Sequence, residues 1–278
     1  MFMPQEPRTM QDTDSSADLS RRFGGLNRLY GEQALEQLGT AHVAVAGLGG
    51  VGSWCVEALA RSGVGALTLI DFDHIAESNI NRQLHALSST LGQSKVQAMA
   101  DRIREINPAC RITVVDDFVT PENVNKLFSG PLSALVDCTD QAPAKIAMIL
   151  DSRRRKLPLV VCGGAGGKTS PLSLRAGDLS QATHDALLSK LRQTLRRQHG
   201  YARAAAQAGK APRRIPRMGV RVLWFDEPVR LPLAWTQDDP LQGLSCAGYG
   251  SAVVVTAAMG MAAAAEVIQV ILNGRFAS

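Results

Sequence analysis

Apolar positions along this chain come in short unbroken blocks separated by longer amphipathic stretches. Residues 42–46 (His-Val-Ala-Val-Ala) read as a buried strand, and 51–61 carry apolar residues at helical spacing. A second strand covers 67–73, followed by a helix over 93–106, a strand over 111–115 and a helix after Pro121. Strand, helix and strand follow again over 134–137, 144–155 and 157–162. Repeated strand–helix units of this kind predict an α/β, Rossmann-like fold, with a mostly parallel sheet covered by helices on both faces. Ligands of such sheets bind outside the carboxyl ends of the strands, where the strand order reverses. Gly47, Asp71, Asp140 and Gly163 all fall just past predicted strand ends, so one crevice can gather them.

The first of those ends carries Gly47-Leu-Gly49-Gly50-Val-Gly52, which fits G-x-G-x-x-G. Glycines at these positions allow a tight turn, close approach of backbone to phosphate, and tight packing of helix on strand. The helix start then offers free N–H groups and a favourable dipole to an anion. Asp71 comes about 20 residues later, where an acidic side chain can take ribose hydroxyls. These features alone fit an NAD site equally well.

The polar loop after Asp71-Phe-Asp73 shifts the balance toward ATP. It reads Asn79-Ile-Asn81-Arg82-Gln83, and Lys95 opens the following helix. A triphosphate carries more charge than a dinucleotide's pyrophosphate, and its cleavage gains from Arg and Lys clamps. Arg82 and Lys95 can form such a clamp, with Asn79 and Gln83 orienting oxygens. The competing view is a solvated loop with ordinary surface charges.

Taken together, Gly47 to Gly52, Asp71-Phe-Asp73, Asn79-x-Asn-Arg-Gln83, Lys95 and Asp137-Cys-Thr-Asp140 resemble the adenylating enzymes of the ubiquitin-activating, ThiF and MoeB type. Within that superfamily, Arg22-Phe-Gly-Gly, Arg28-Leu-Tyr-Gly31, Gly163-Gly-Ala-Gly-Gly167 and Cys246-Ala-Gly-Tyr-Gly250 resemble the branch of tRNA threonylcarbamoyladenosine dehydratases. The resemblance runs from Arg21 to about Val270. It implies ATP as cosubstrate, with the glycines Gly47, Gly49, Gly50 and Gly52, together with Asp73, around it. It gives ribose binding to Asp71, phosphate contacts to Asn79, Arg82 and Lys95, and Mg2+ to Asp140. It further implies a homodimer, a tRNA substrate bearing threonylcarbamoyladenosine, and room for a monovalent cation and a sulfur-transfer protein partner. The expected reaction is an ATP-dependent dehydration that closes a ring through an acyl-adenylate. The chain also departs from the family. Gly25 stands where relatives often place an arginine that reaches the partner subunit's ATP, which leaves Arg21, Arg22 and Arg28 as substitutes. The two C-x-x-C pairs of the MoeB and ThiF branches are missing, so no zinc is expected.

Composition fits a soluble enzyme. The 278 residues are 45% hydrophobic, enough for a substantial core, and five scattered cysteines make no disulfide framework, which favours a cytoplasmic setting. Residues 1–20 are polar and read as a disordered tail, with 21–278 as a single ThiF-like adenylating domain. The stretch 252–265, and 267–272 beyond Glu266, is apolar enough to suggest a membrane span. Its Ala and Gly content instead predicts a core or dimer helix with no stable membrane insertion.

Three further signals have ordinary explanations. Cys162-Gly-Gly-Ala-Gly-Gly-Lys168-Thr imitates a P-loop, but Ser170-Pro171 follows where its helix should begin. The five histidines lack metal-ligand spacing and read as surface or capping residues, with only His85 worth testing in catalysis. Cys246 precedes a helix, where a thiol's pKa is lowered; it is either a small buried residue or an acyl acceptor.

Charge is unevenly placed. The net +5 concentrates in 190–221, where Lys190, Arg192, Arg196, Arg197, Arg203, Lys210, Arg213, Arg214 and Arg217 occur without any Asp or Glu between Asp185 and Asp226. Such a segment, partly flexible, predicts contact with RNA phosphates. Arg153-Arg-Arg155-Lys156 is a second basic cluster. Two rivals to the tRNA enzyme stand beside it. One is adenylation of a ubiquitin-like sulfur carrier's C-terminus; the other is an NAD-dependent oxidoreductase or a non-catalytic nucleotide-binding module.

Overall fold

The computed structural model describes residues 18–203, 215–231 and 249–276. Three short helices, α1 (Leu19–Phe23), α2 (Gly25–Tyr30) and α3 (Ala34–Thr40), precede the sheet. Then come β1 (His42–Ala46), α4 (Gly52–Arg61), β2 (Ala66–Ile70), α5 (Lys95–Ile106) and β3 (Arg111–Val115). The chain continues through α6 (Val124–Leu127), β4 (Ala134–Asp137), α7 (Ala142–Arg155) and β5 (Leu159–Cys162). The described residues end with β6 (Leu174–Asp178), α8 (Ala186–Gln198), β7 (Arg221–Phe225) and α9 (Val253–Asn273).

The seven strands are ordered β3-β2-β1-β4-β5-β7-β6, and every neighbouring pair is parallel except β6 with β7. The order turns back between β1 and β4, which is where such a sheet opens its ligand crevice. Alternation along β1 explains the two-sided covering. Val43 and Val45 join the core with α4, α5 and α9, whereas Ala44 and Ala46 join the core with α7 and α8. α9 lies on the first of these faces, and contact there is close enough that a Cβ on Gly260 would sit 2.4 Å from the Val51 carbonyl. By length and composition this helix is apolar enough to cross a membrane, yet it packs on the core through Val255, Met259, Ala263 and Val267. Glu266, the charge that breaks its apolar run, accepts both hydrogen bonds of the Arg221 guanidinium at 3.0 and 2.6 Å.

Several boundaries differ from expectation for local reasons. β2 stops at Ile70, because the Asp71 carboxylate turns to accept from the backbone of Leu48 and Asp73. β5 starts at Leu159, after Pro158. Helix α1 begins at Leu19, inside the stretch expected to be a disordered tail; residues 1–17 lie outside those described. The basic segment is not simply a crossover loop, because its first part belongs to α8. That helix buries Leu187, Leu188, Leu191 and Leu195 at helical spacing and is capped by the Asp185 carboxylate, which accepts from the Leu188 amide.

Candidate nucleotide-binding site

Register places the glycine turn at the centre of the sheet. Ala46 is level with Ile70 on one side and Asp137 on the other, so Gly47, Asp71 and Cys138 follow at one height. The Gly47 amide donates to the Ile70 carbonyl, and the Cys138 amide donates to that of Ala46, both at 2.8 Å. Gly47 has φ of +84°, and a Cβ there would lie 2.9 Å from the Cys138 backbone, so this position requires glycine twice over. A Cβ on Gly52 would come within 1.8 Å of the Gly47 carbonyl oxygen; one on Gly50 would meet Thr256 of α9 at 2.9 Å and Arg82 at 3.3 Å. A Cβ on Gly49 would meet nothing within 4 Å among the described residues. The turn is thus packed on three glycines and open at the fourth.

Asp71 is tied to this turn. Its Oδ2 accepts from the Leu48 amide at 2.5 Å and its Oδ1 from the Asp73 amide at 2.9 Å. Burial raises its pKa, while Lys95 and the two amides pull the other way. Lys95 is buried at the first position of α5 and donates from Nζ to Asp73 Oδ2 at 2.7 Å. An ammonium held this way stands beside the carboxylate assigned to the ribose.

The loop that follows is held by both flanking helices. The Arg82 carbonyl accepts from Trp54 Nε1 of α4 at 3.1 Å and from Thr256 Oγ1 of α9 at 3.3 Å. The Leu84 amide donates to Ser53 Oγ, and Asn81 Nδ2 to the Ser251 carbonyl. The Arg82 guanidinium folds onto its own loop, donating from Nη1 to the Ser78 carbonyl at 2.6 Å and to Asn81 Oδ1 at 2.9 Å. Asn79 is buried, and its Oδ1 accepts from the Ala76 amide, so its amide nitrogen is the end left for an incoming oxygen. Gln83 is buried, and its Oε1 has no hydrogen-bond partner among the described residues.

Across the crevice, Asp140 is exposed three residues past Asp137 and accepts from Gln141 Nε2 at 3.2 Å. Among the described residues no group of three His, Cys, Asp or Glu side chains is placed to hold a metal ion. A lone exposed carboxylate fits Mg2+, which is commonly held by one or two carboxylates with phosphate and water completing its shell. Sequence reading passed over the ion pair beneath: Asp137 and Lys145 are both fully buried, with Nζ 3.1 Å from Oδ1 and donating to the Cys162 carbonyl at 2.8 Å. A lysine at an otherwise apolar helix position was the available signal. Cys138 and Cys162 end neighbouring strands with their sulfurs 3.8 Å apart. That contact and burial push the Cys138 thiol well above its ordinary pKa.

The remaining candidates lie apart from the crevice. Lys168 is buried and donates to the carbonyls of His184, at 2.8 Å, and Glu227, so it latches the glycine loop after β5. His85, expected at the surface, is 3% exposed, and neither ring nitrogen has a partner among the described residues. It lines a cavity of about 740 Å³ together with Phe23, Leu84, Arg102 and Ile106, none of which belongs to the nucleotide turn. Cys246 lies outside the described residues.

A nucleotide fold with a glycine turn, an acidic strand end and an Arg/Lys-bearing loop defines an adenylating class. The ThiF family matches residues 20–276, and the chain belongs to it. Over 257 residues it is 42% identical to tRNA threonylcarbamoyladenosine dehydratase of Escherichia coli, covering 90% of this chain and 92% of that one. A solved structure of the E. coli enzyme in complex with ATP matches with a TM-score of 0.81 at 41% identity, over 93% of this chain and 97% of that one. Molybdopterin-synthase adenylyltransferase of Salmonella typhimurium is 37% identical over 130 residues, 47% of this chain and 51% of that one.

Proposed function

We propose that this protein is an ATP-dependent tRNA threonylcarbamoyladenosine dehydratase. The observation that carries this is the convergence of the glycine turn, Asp71, Lys95 and the Arg82 loop at the β1/β4 switch point, in a chain so similar over nine-tenths of its length to the E. coli dehydratase. Gly49 leaves the space through which phosphates approach the turn, and the helix α4 start supplies N–H groups to them. Asp71, already oriented by two amides, takes the ribose hydroxyls. Asn79 Nδ2, Arg82 and Lys95 meet the phosphate oxygens, and their fixed positive charge stabilises the charge that grows as pyrophosphate departs.

In the first step a carboxylate oxygen of the substrate bonds to the α-phosphorus, and the bond to pyrophosphate breaks. A nucleophile of the same side chain then bonds to the acyl carbon, and AMP leaves, for a net loss of water. Both reacting groups belong to the substrate, so the protein contributes position and electrostatics. When bound, Mg2+ at Asp140 would neutralise phosphate charge. The proposal includes a cytoplasmic setting and a homodimer. α2 offers Leu29 and Tyr30, 70% and 40% exposed, to a second copy, and Arg28 beside them is the candidate for reaching its ATP; Arg22 is engaged by the carbonyls of Glu105 and Ile106.

Mass spectrometry of nucleosides from tRNA incubated with protein and ATP tests the proposal. A product lighter by one water supports it; unchanged threonylcarbamoyladenosine overturns it. The similarity to the Salmonella adenylyltransferase favours a second reading, adenylation of a carrier protein's C-terminus. Pyrophosphate release that needs a carrier rather than tRNA, with a trapped carrier thioester that Cys246→Ala removes, would select it.

A further inference from the structure

The two basic clusters, about 40 residues apart in sequence, meet in the fold. α7 and α8 pack side by side on the same face of the sheet, and both end at the edge where the strands begin. Arg153, in the last turn of α7, lies 4.6 Å over the ring of Tyr201, which follows α8. Arg203 donates from Nε and Nη2 to the Arg196 carbonyl, and Arg196 Nε donates to that of Ala202. The tips of the two helices therefore form one fixed seam carrying Arg153, Lys156, Arg196, Arg197 and Arg203. Among the described residues none of these five has an ion-pair partner within 4 Å; Asp151 engages Arg154 and Arg155 instead.

What the seam offers a ligand lies on its surface, where Arg153, Lys156 and Arg197 are exposed. Arg196 Nη2 and the Tyr201 hydroxyl are buried without a hydrogen-bond partner among the described residues. Their side chains stiffen the seam from below, and the exposed guanidinium groups of Arg153 and Arg197 match phosphate oxygens. The seam is also far from the crevice. α7 starts just beyond the carboxyl end of β4 and runs 14 residues, about 21 Å at 1.5 Å per residue, to the opposite edge.

We infer that this seam binds the phosphate backbone of the tRNA stem adjoining the nucleotide that enters the crevice, so that the RNA lies along the α7/α8 face. This rests on the dehydratase reading above. A continuous A-form stem rises less per base pair than the about 3.4 Å of B-DNA, so bridging about 21 Å needs more than about six base-pair steps. A shorter stem can fill the crevice without touching the seam.

The test uses the full chain and the triple variant Arg153→Gln, Lys156→Gln, Arg197→Gln, three exposed positions. Binding of intact tRNA is measured against salt, beside binding of an RNA hairpin that keeps the modified loop on a stem of three base pairs. The variant is expected to bind tRNA at least tenfold more weakly, with a plot of log affinity against log salt shallower by about 2 to 3. Hairpin binding and ATP affinity should match wild type. Equal tRNA affinity and slope in both proteins overturns the inference, as does an equal loss for hairpin and tRNA. Wild-type protein that binds and modifies neither RNA would instead overturn the dehydratase reading itself.

Discussion

Lys145 and Asp137 form an ion pair at 3.1 Å in which neither side chain reaches solvent. Burial raises the Asp137 pKa and the Lys145 ammonium opposes that rise, so the buried carboxylate leans on its partner. The pair lies directly under the turn from β4 into the crevice. Lys145→Met should therefore strand a buried carboxylate and lower stability by about 3–5 kcal/mol, whereas Lys145→Met with Asp137→Leu should recover most of that loss. Urea unfolding of the single and double variants checks this. A single variant as stable as wild type would show that the pair contributes nothing.

Arg82→Ala should cut ATP-dependent turnover by about a hundredfold, roughly 3 kcal/mol of transition-state stabilisation. The loop itself should persist, since its anchors to Trp54 and Thr256 run through the Arg82 carbonyl rather than the guanidinium. Turnover at the wild-type rate in a folded variant would remove Arg82 from the phosphate site.

Gly49 and Gly52 make a paired comparison. Gly52→Ala places a methyl 1.8 Å from the Gly47 oxygen and should cost about 3 kcal/mol of stability. Gly49→Ala meets nothing within 4 Å among the described residues, so stability should move by less than about 0.5 kcal/mol. ATP affinity should nevertheless fall, because the new methyl stands in the opening left for phosphate. Thermal melting and nucleotide titration separate the two effects; unchanged ATP affinity in Gly49→Ala would place the phosphates elsewhere.

His85 makes stability depend on pH. Burial, and then the nearby Lys95 charge, lower its pKa to about 4 from an ordinary 6.5. The unfolded chain takes up a proton below 6.5, and the folded protein does so only near 4. This contribution is thus complete above pH 6.5 and is lost as pH falls toward 4. Between pH 6.5 and 5 the loss is about 2 kcal/mol at about 1.36 kcal/mol per unit. Urea midpoints across that range should slope in the wild type and flatten in His85→Leu. A slope that survives the substitution would assign the effect to other groups.

Strands β1, β2, β4 and β5 were legible because they are buried and read as apolar runs, whereas β7, also parallel and buried, went unread behind the basic segment. The same runs announce the crevice, since each glycine or acid that ends one is forced to the same edge. β6 escaped notice for a physical reason. Its residues Leu174 to Asp178 alternate weakly, and Arg175 and Ala176 are exposed on the last strand of the sheet. α8 was hidden by its charge: Arg192, Arg196 and Arg197 drew attention to a basic loop, although the leucine stripe beneath them was helical. Arg192 is itself no free cation, because it donates to the carbonyls of Leu179 and Ala182. Lys145 gave only the signal of its apolar helix neighbours, and His85 read as a surface residue, since burial of a charged or polar side chain depends on which elements close over it.

The contact of α9 with the glycine turn sets the order in which the protein can be made. Thr256 and Gly260 brace Gly50, Trp54 and the Arg82 carbonyl, yet they belong to a helix made long after the glycine turn. A ribosome holding those residues in its tunnel has released β1, β2 and the whole nucleotide turn without the helix that supports it. The nascent chain therefore acquires a firm ATP site only once α9 has been made and has left the tunnel. Chains stalled just short of Val253 should fail to gain protease resistance from ATP that released chains acquire, and equal protection of both would show that the turn is firm without its C-terminal brace.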